Sequence, residues 1–219
     1  MPVNVVAYQQ LKKELDEQGV SLLAVSKKKP VEDIEELYQL GHRDFAENYV
    51  QELVEKQPRL PSDIRWHFIG HLQRNKVKYI APFCASIQGV DSMSLLQEIN
   101  KQAQKCGRIL DVMLQVHIAT EETKFGLDQE EVLDLLQQAV HYPYVRIIGL
   151  MGMASFTENT EQIKAEFTAL RSIFDRCNSL RSDSPLRILS MGMSSDYPIA
   201  ISCGSNMVRV GSLLFGARP

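Results

Sequence analysis

Two kinds of apolar patterning alternate along the chain. Compact runs, several of them almost continuous in apolar residues, occur at 22–26 (LLAVS), 43–48 (RDFAEN), 65–70 (RWHFIG), 85–91 (ASIQGVD), 111–118 (DVMLQVHI), 145–153 (VRIIGLMGM), 186–193 (LRILSMGM) and 206–211 (NMVRVG). Such runs are expected of parallel strands covered on both faces. Between them, apolar residues recur every three or four positions, as in VEDIEELYQLG, SMSLLQEINKQAQKCG and QEEVLDLLQQAVHY. In the first of these, Val31, Ile34, Leu37, Tyr38 and Leu40 share one helical stripe, and Gly41 stands where a helix C-cap is expected. A further helix is predicted over 4–18, ahead of the first strand.

Eight strand–helix units in 219 residues predict one α/β domain spanning 1–219. The expected fold is a (β/α)8 TIM barrel with an extra N-terminal helix. An open doubly wound sheet is the alternative, although it rarely uses so many units in so short a chain. In a barrel the chemistry sits at the C-terminal ends of the strands, so each strand end is a place to look for it.

Composition narrows the partners. With a net charge of −3 there is no general electrostatic pull toward nucleic acid or an anionic membrane. No apolar run approaches the roughly 20 residues of a membrane helix. The opening MPVNVVAYQQ lacks the basic segment and apolar core of a signal peptide. Cys84, Cys106, Cys177 and Cys203 are widely spread with no C-x-x-C, so free thiols, no metal site and a cytoplasmic location are expected. No heptad seam asks for a second subunit, and a monomer is the expectation.

The first strand ends abruptly in Lys27, Lys28, Lys29 and Pro30. If it stays extended, Lys27 and Lys29 share a face and Lys28 takes the other. With Val25 facing inward, Lys27 continues that face at the barrel rim. A lysine among cationic neighbours and apolar walls is pushed toward the neutral amine that Schiff-base chemistry needs. A solvated charge run is the alternative.

Three late strands end in small residues: GLMGMAS, LSMGMSSD and VRVGSLLFG. Glycine and serine bunched at successive strand ends let backbone N–H groups approach an oxyanion, and barrels commonly place a phosphate after their last two strands. Ser190, Gly192, Ser194, Gly211 and Ser212 are candidate phosphate contacts; ordinary turns, or a helix cap at Ser194 or Ser195, are the alternative. Arg209 is a charge inside an apolar strand and needs a partner. That partner is either a carboxylate such as Glu47 or the ligand itself. His67 reads as a satisfied core residue, and HLQRNK after the third strand as a helix start with Arg74 and Lys76 in solvent. No Ser-His-Asp order, H-E-x-x-H helix or P-loop lysine is present.

Taken in order, AVSKKKP, FAENYVQE, WHFIGHLQRNK, GLMGM, LSMGMSSDYPIAI and VRVGSLLFGAR resemble the pyridoxal 5′-phosphate (PLP) homeostasis protein family, single-domain relatives of the alanine racemase barrel. The resemblance runs from residue 5 to 218. It implies a fold-type III barrel that carries PLP as an internal aldimine, a Schiff base on Lys27. It also implies that Lys29 is the family's second lysine, linked to cofactor handling, and that Asn48 lies beside the cofactor. Met151, Ser190, Gly192, Ser194, Arg209, Gly211 and Ser212 match the family's ring-packing and phosphate-holding positions. An arginine at the pyridine nitrogen can only donate, so the ring nitrogen stays unprotonated and is a poorer electron sink. Two departures are visible: Ala46 stands where the family usually has glycine, and Ser212 where threonine is common.

Racemases of this barrel class take a second acid/base group from an additional β-domain and a partner subunit. This chain ends at Pro219, just after the eighth strand, so one face of the cofactor is expected to be open to water. Racemisation needs bases on both faces and a dry site. The expectation is therefore a PLP-holding protein of vitamin B6 homeostasis with no catalytic residues and no efficient turnover, and with PLP-dependent apoenzymes as candidate acceptors. A low-activity PLP racemase or decarboxylase is the alternative. Setting the resemblance aside, a barrel aldolase forming a Schiff base with a sugar phosphate is another.

Overall fold

In the computed structural model, which describes residues 3–121, 125–181 and 184–216, each of the eight apolar runs contributes one strand. In chain order the elements are α1 (Val5–Glu17), β1 (Ser21–Val25), α2 (Val31–Gln39), β2 (Asp44–Glu47), α3 (Val50–Lys56), β3 (Arg65–Phe68), α4 (Val77–Ile80), β4 (Ser86–Val90), α5 (Met93–Lys105), β5 (Leu110–Val116), α6 (Gln129–Gln138), β6 (Val145–Gly152), α7 (Thr160–Ser179), β7 (Ile188–Ser190), α8 (Tyr197–Ser202), β8 (Met207–Val210) and α9 (Ser212–Phe215). The strands are parallel and follow sequence order around a closed barrel. Closure is made by β8 against β1, with Leu23 opposite Arg209 and Ala24 opposite Val210.

The continuous apolar runs are explained by two cores that share each strand. In β1, Leu22 and Ala24 pack outward with the helices, in the large sheet–helix core. Leu23 and Val25 point inward and join Ala46, Met113, Met151 and Met207 in the barrel interior. Side chains alternate faces along a strand, so a strand buried on both sides must be apolar at nearly every position. Each such side chain contributes roughly 1.5–3 kcal/mol on burial, and an open sheet would leave its edge strands unpaired.

Local contacts fix the helix ends. Asn4 caps α1 by accepting from the Ala7 N–H at 3.0 Å, and Tyr8, Leu11 and Leu15 form its buried stripe. In α2, Val31, Ile34 and Leu37 are buried. Gly41 and His42 close its end, donating to the Tyr38 and Leu37 carbonyls in the Schellman arrangement. Leu40 departs from the predicted stripe: it is the C-cap and is exposed. The seventh strand is shorter than its apolar run of 186–193, and just past its end Gly192 adopts φ +96°, outside the extended region. A Cβ there would stand 2.7 Å from the Ala200 Cβ, so the tight turn after β7 requires glycine.

Candidate functional site

A cavity of about 390 Å³ opens at the C-terminal mouth of the barrel. Five strand ends build most of it. The first supplies Val25, Lys27 and Lys29; the second, Asn48; the third, Ile69; the seventh, Met193, Ser194 and Ser195; the eighth, Arg209, Gly211 and Ser212. Met153 and Phe156, after β6, and Gly216, after α9, complete the wall. Seven of the predicted residues thus meet in one place: Lys27, Lys29, Asn48, Ser194, Arg209, Gly211 and Ser212.

Three predicted residues stand behind that wall. Met151 is fully buried one layer below Met153. Ser190 is buried beneath Arg209. Gly192 shapes the turn and accepts the Arg209 backbone N–H at 3.0 Å. Sequence reasoning missed Met153, Ile69 and Phe156 as lining residues. For Met153 the signal was present, since it lies two positions past Met151 on the same face.

A larger groove of about 560 Å³ lies between α3 and α4 and shares Asn48 with the cavity. It holds neither lysine of the first strand end, nor Arg209, nor the serine–glycine turns. The smaller cavity, where the chemistry converges, is the candidate site. The Arg74 and Lys76 side chains are exposed as expected. His67 bonds Ser86 at 2.7 Å and Asp44 at 3.0 Å, as a satisfied core histidine should.

The lysines reach the cavity by a route other than the pleat. The strand ends at Val25, and residues 26–29 form a tight turn closed by the Lys29 N–H on the Ser26 carbonyl at 3.0 Å. Lys28, third in that turn, has φ +60° and is the one non-glycine residue with positive φ among the described residues. Positive φ at the third position is what type II turns demand. Lys27 and Lys29 both line the cavity while Lys28 is exposed. Lys29 Nζ donates to the Phe215 carbonyl at 2.6 Å, tying the first strand end to the helix after β8.

Arg209 is 3% exposed. Its Nη1 donates to the Ser190 carbonyl and hydroxyl, and its Nη2 to the Gly152 carbonyl at 2.9 Å. All three acceptors are neutral, and among the described residues no carboxylate forms an ion pair with it. Burial pushes its pKa down to about 10, opposed in part by the Asp196 carboxylate, so it remains a cation at neutral pH. The candidate partner Glu47 is engaged elsewhere. Ala46 faces the barrel interior, so alternation turns Glu47 outward, where Lys56 of α3 meets it at 2.7 Å.

The turns after β7 and β8 are joined directly: the Gly211 N–H donates to Ser194 Oγ at 3.2 Å. Ser194 therefore does not cap α8, whose N-cap is Asp196. At Gly211 a Cβ would come within 3.0 Å of the Val25 carbonyl, so the glycine admits a close strand-end approach. The Asn48 Oδ1 is buried with no hydrogen-bond partner among the described residues. A fixed cation with only neutral acceptors, an unpartnered amide oxygen, two lysines and a serine–glycine cradle fit a small phosphorylated aromatic aldehyde.

The family model for the alanine racemase N-terminal domain matches residues 7–219. The pyridoxal phosphate homeostasis protein of Pasteurella multocida is 41% identical over 217 residues, covering 97% of this chain and 91% of that protein.

The chain belongs to the pyridoxal phosphate homeostasis protein family.

PipY of Synechococcus elongatus has been solved without and with PLP bound. The two structures superpose with TM-scores of 0.91 and 0.88 at 35% identity, and each covers 96% of this chain and 98% of PipY. The alanine racemase of Clostridium difficile is 16% identical, with a TM-score of 0.77 over all of this chain and 60% of that one, a likeness of fold alone. Among the described residues no helix is long and apolar enough to cross a membrane. The methyl of Ala46 is packed in the barrel interior.

Proposed function

We propose that this protein binds PLP in the strand-end cavity, holds it on Lys27 and serves intracellular PLP homeostasis without efficient turnover. The observation that carries the reading is the convergence of Lys27, Arg209 and the Ser194–Gly211–Ser212 turns on one cavity. The names of the relatives and the PLP-bound PipY structure support it.

In this reading the turns after β7 and β8 take the phosphate. Arg209 faces the ring nitrogen and, being donor-only, keeps it unprotonated. When bound, PLP supplies an aldehyde. Lys27 is the residue that would hold that aldehyde, and its amine would have to be neutral to do so. Met151, Ser190 and Gly192 act from behind, setting the height of the ring floor and the place of Arg209.

The carrier reading rests on the kinds of side chain around the cavity. Among its described lining residues the titratable groups are Lys27, Lys29 and Arg209, with no carboxylate, imidazole, thiol or phenol among them. Two-faced proton transfer at an α-carbon needs an acid/base group on each side, and Lys29 is held on the Phe215 carbonyl. PLP-dependent apoenzymes are the acceptors this role implies.

The test is the visible spectrum of the purified protein before and after borohydride. We expect a yellow species that borohydride bleaches, with the cofactor fixed on Lys27 by peptide mapping. Lys27→Ala should lose that band yet keep its fold, and Arg209→Ala should release cofactor faster. Fixation on another lysine would overturn the assignment. Productive turnover of an amino acid, beyond slow exchange of its α-hydrogen, would overturn the carrier role.

A further inference from the structure

A lysine outside the cavity is hydrogen-bonded to the strand end that carries Lys27. Lys56, the last residue of α3, is nearly buried, with a side chain 7% exposed. Its ammonium has three donors, and each has an acceptor. These are the Ser26 carbonyl at 2.8 Å, Glu47 Oε1 at 2.7 Å and Glu52 Oε1 at 2.6 Å. The same Glu52 oxygen accepts the Lys28 backbone N–H at 2.6 Å. Glu47 Oε1 also accepts from Ser26 Oγ at 2.7 Å.

Lys27 is thus bracketed. The carbonyl before it and the N–H after it are both held by one cation–carboxylate cluster rooted in α3 and β2. Lys28 is kept at φ +60°, a conformation that costs a non-glycine residue energy unless its surroundings impose it. Released, the turn would relax and carry the Lys27 side chain with it. We propose that Lys56, acting through Glu47 and Glu52, is the positioning residue that aims the Lys27 amine at the cofactor aldehyde.

This inference rests on the reading of Lys27 as the attachment point. The cluster lies on the helix side of the turn, away from the serine–glycine cradle. It should therefore govern how fast the covalent bond forms and not how well phosphate and ring are held. Lys56→Met alone would leave the Glu47 carboxylate buried without its counter-charge and could unfold the protein. The informative variants are the charge-balanced Lys56→Met/Glu47→Gln double and Glu52→Ala. Glu52→Gln, which keeps an oxygen for the Lys28 N–H, is the conservative control.

Two quantities are compared in the full-length protein. One is the rate at which the visible imine band grows after apo-protein is mixed with PLP. The other is the affinity for pyridoxine 5′-phosphate, which has the same phosphate and ring but no aldehyde. The double variant and Glu52→Ala should slow band growth by about tenfold or more while analogue affinity stays within about twofold, as expected when only orientation is lost. Glu52→Gln should recover most of the rate. An unchanged rate in both variants, or a parallel loss of analogue affinity, would overturn the positioning role. If wild-type protein binds the analogue but fixes no cofactor on Lys27, the attachment reading fails, and the inference with it.

Discussion

Arg209 grips Ser190 by both oxygens, its Nη1 lying 2.7 Å from the serine carbonyl and 2.8 Å from the hydroxyl. Ser190 Oγ donates a hydrogen bond to Gln88 Oε1 at 2.8 Å, so three strands across the barrel share one polar chain. Among the described residues no carboxylate forms an ion pair with the guanidinium, which is oriented by neutral acceptors.

Removing the middle of that chain should loosen the arginine. Ser190→Ala leaves Gln88 Oε1 buried without its donor and Arg209 with one acceptor fewer. A buried unsatisfied group costs about 1–3 kcal/mol, and urea unfolding of the apo-protein should show a loss of that size. Dialysis of the loaded protein should show faster cofactor release. Unchanged release would mean that the carbonyl alone sets Arg209.

Gly192→Ala tests the tight turn after β7. The new methyl would meet the Ala200 Cβ at 2.7 Å on a backbone at φ +96°, a combination that costs roughly 1–3 kcal/mol. Because Gly192 accepts the Arg209 N–H, retention of PLP should fall with stability. A variant as stable as wild type would show that the turn relaxes freely.

Acid should weaken the contacts of Asp44, at the start of β2. Burial alone would raise the Asp44 carboxyl, but hydrogen bonds from His67 and Arg65 outweigh it and hold Asp44 well below the usual carboxylate range. A depressed folded-state value means the contribution is present above the ordinary aspartate value, about 3.9, and is lost as pH falls below it. The stability gap between wild type and Asp44→Asn in urea should therefore be widest near neutrality and close in acid. A gap independent of pH would remove Asp44 from the account.

Thiol labelling should report folding. Burial pushes the Cys84 thiol up to about 12 and raises Cys177 as well, whereas Cys106 is exposed and Cys203 partly so. A thiol reagent at neutral pH should modify Cys106 first and Cys203 more slowly. Cys84 and Cys177 should react only on unfolding. Rapid labelling of Cys84 in native protein would contradict its burial.

Periodicity alone identified the eight strands and the helix ahead of them, because a strand buried on both faces cannot hide its apolar run. Turn chemistry marked the cavity as well: Ser194, Gly211 and Ser212 had to be small where strand ends converge. What no linear reading could supply was pairing across the barrel. That Glu47 serves Lys56 and not Arg209 depends on which face of β2 turns outward. That Lys27 and Lys29 reach one cavity depends on a tight turn at Lys28, held by Glu52 of a helix 24 residues further on. Local propensity is written in neighbouring residues, whereas the partners of buried charges are chosen by strand register and barrel closure, which exist only once the chain has folded.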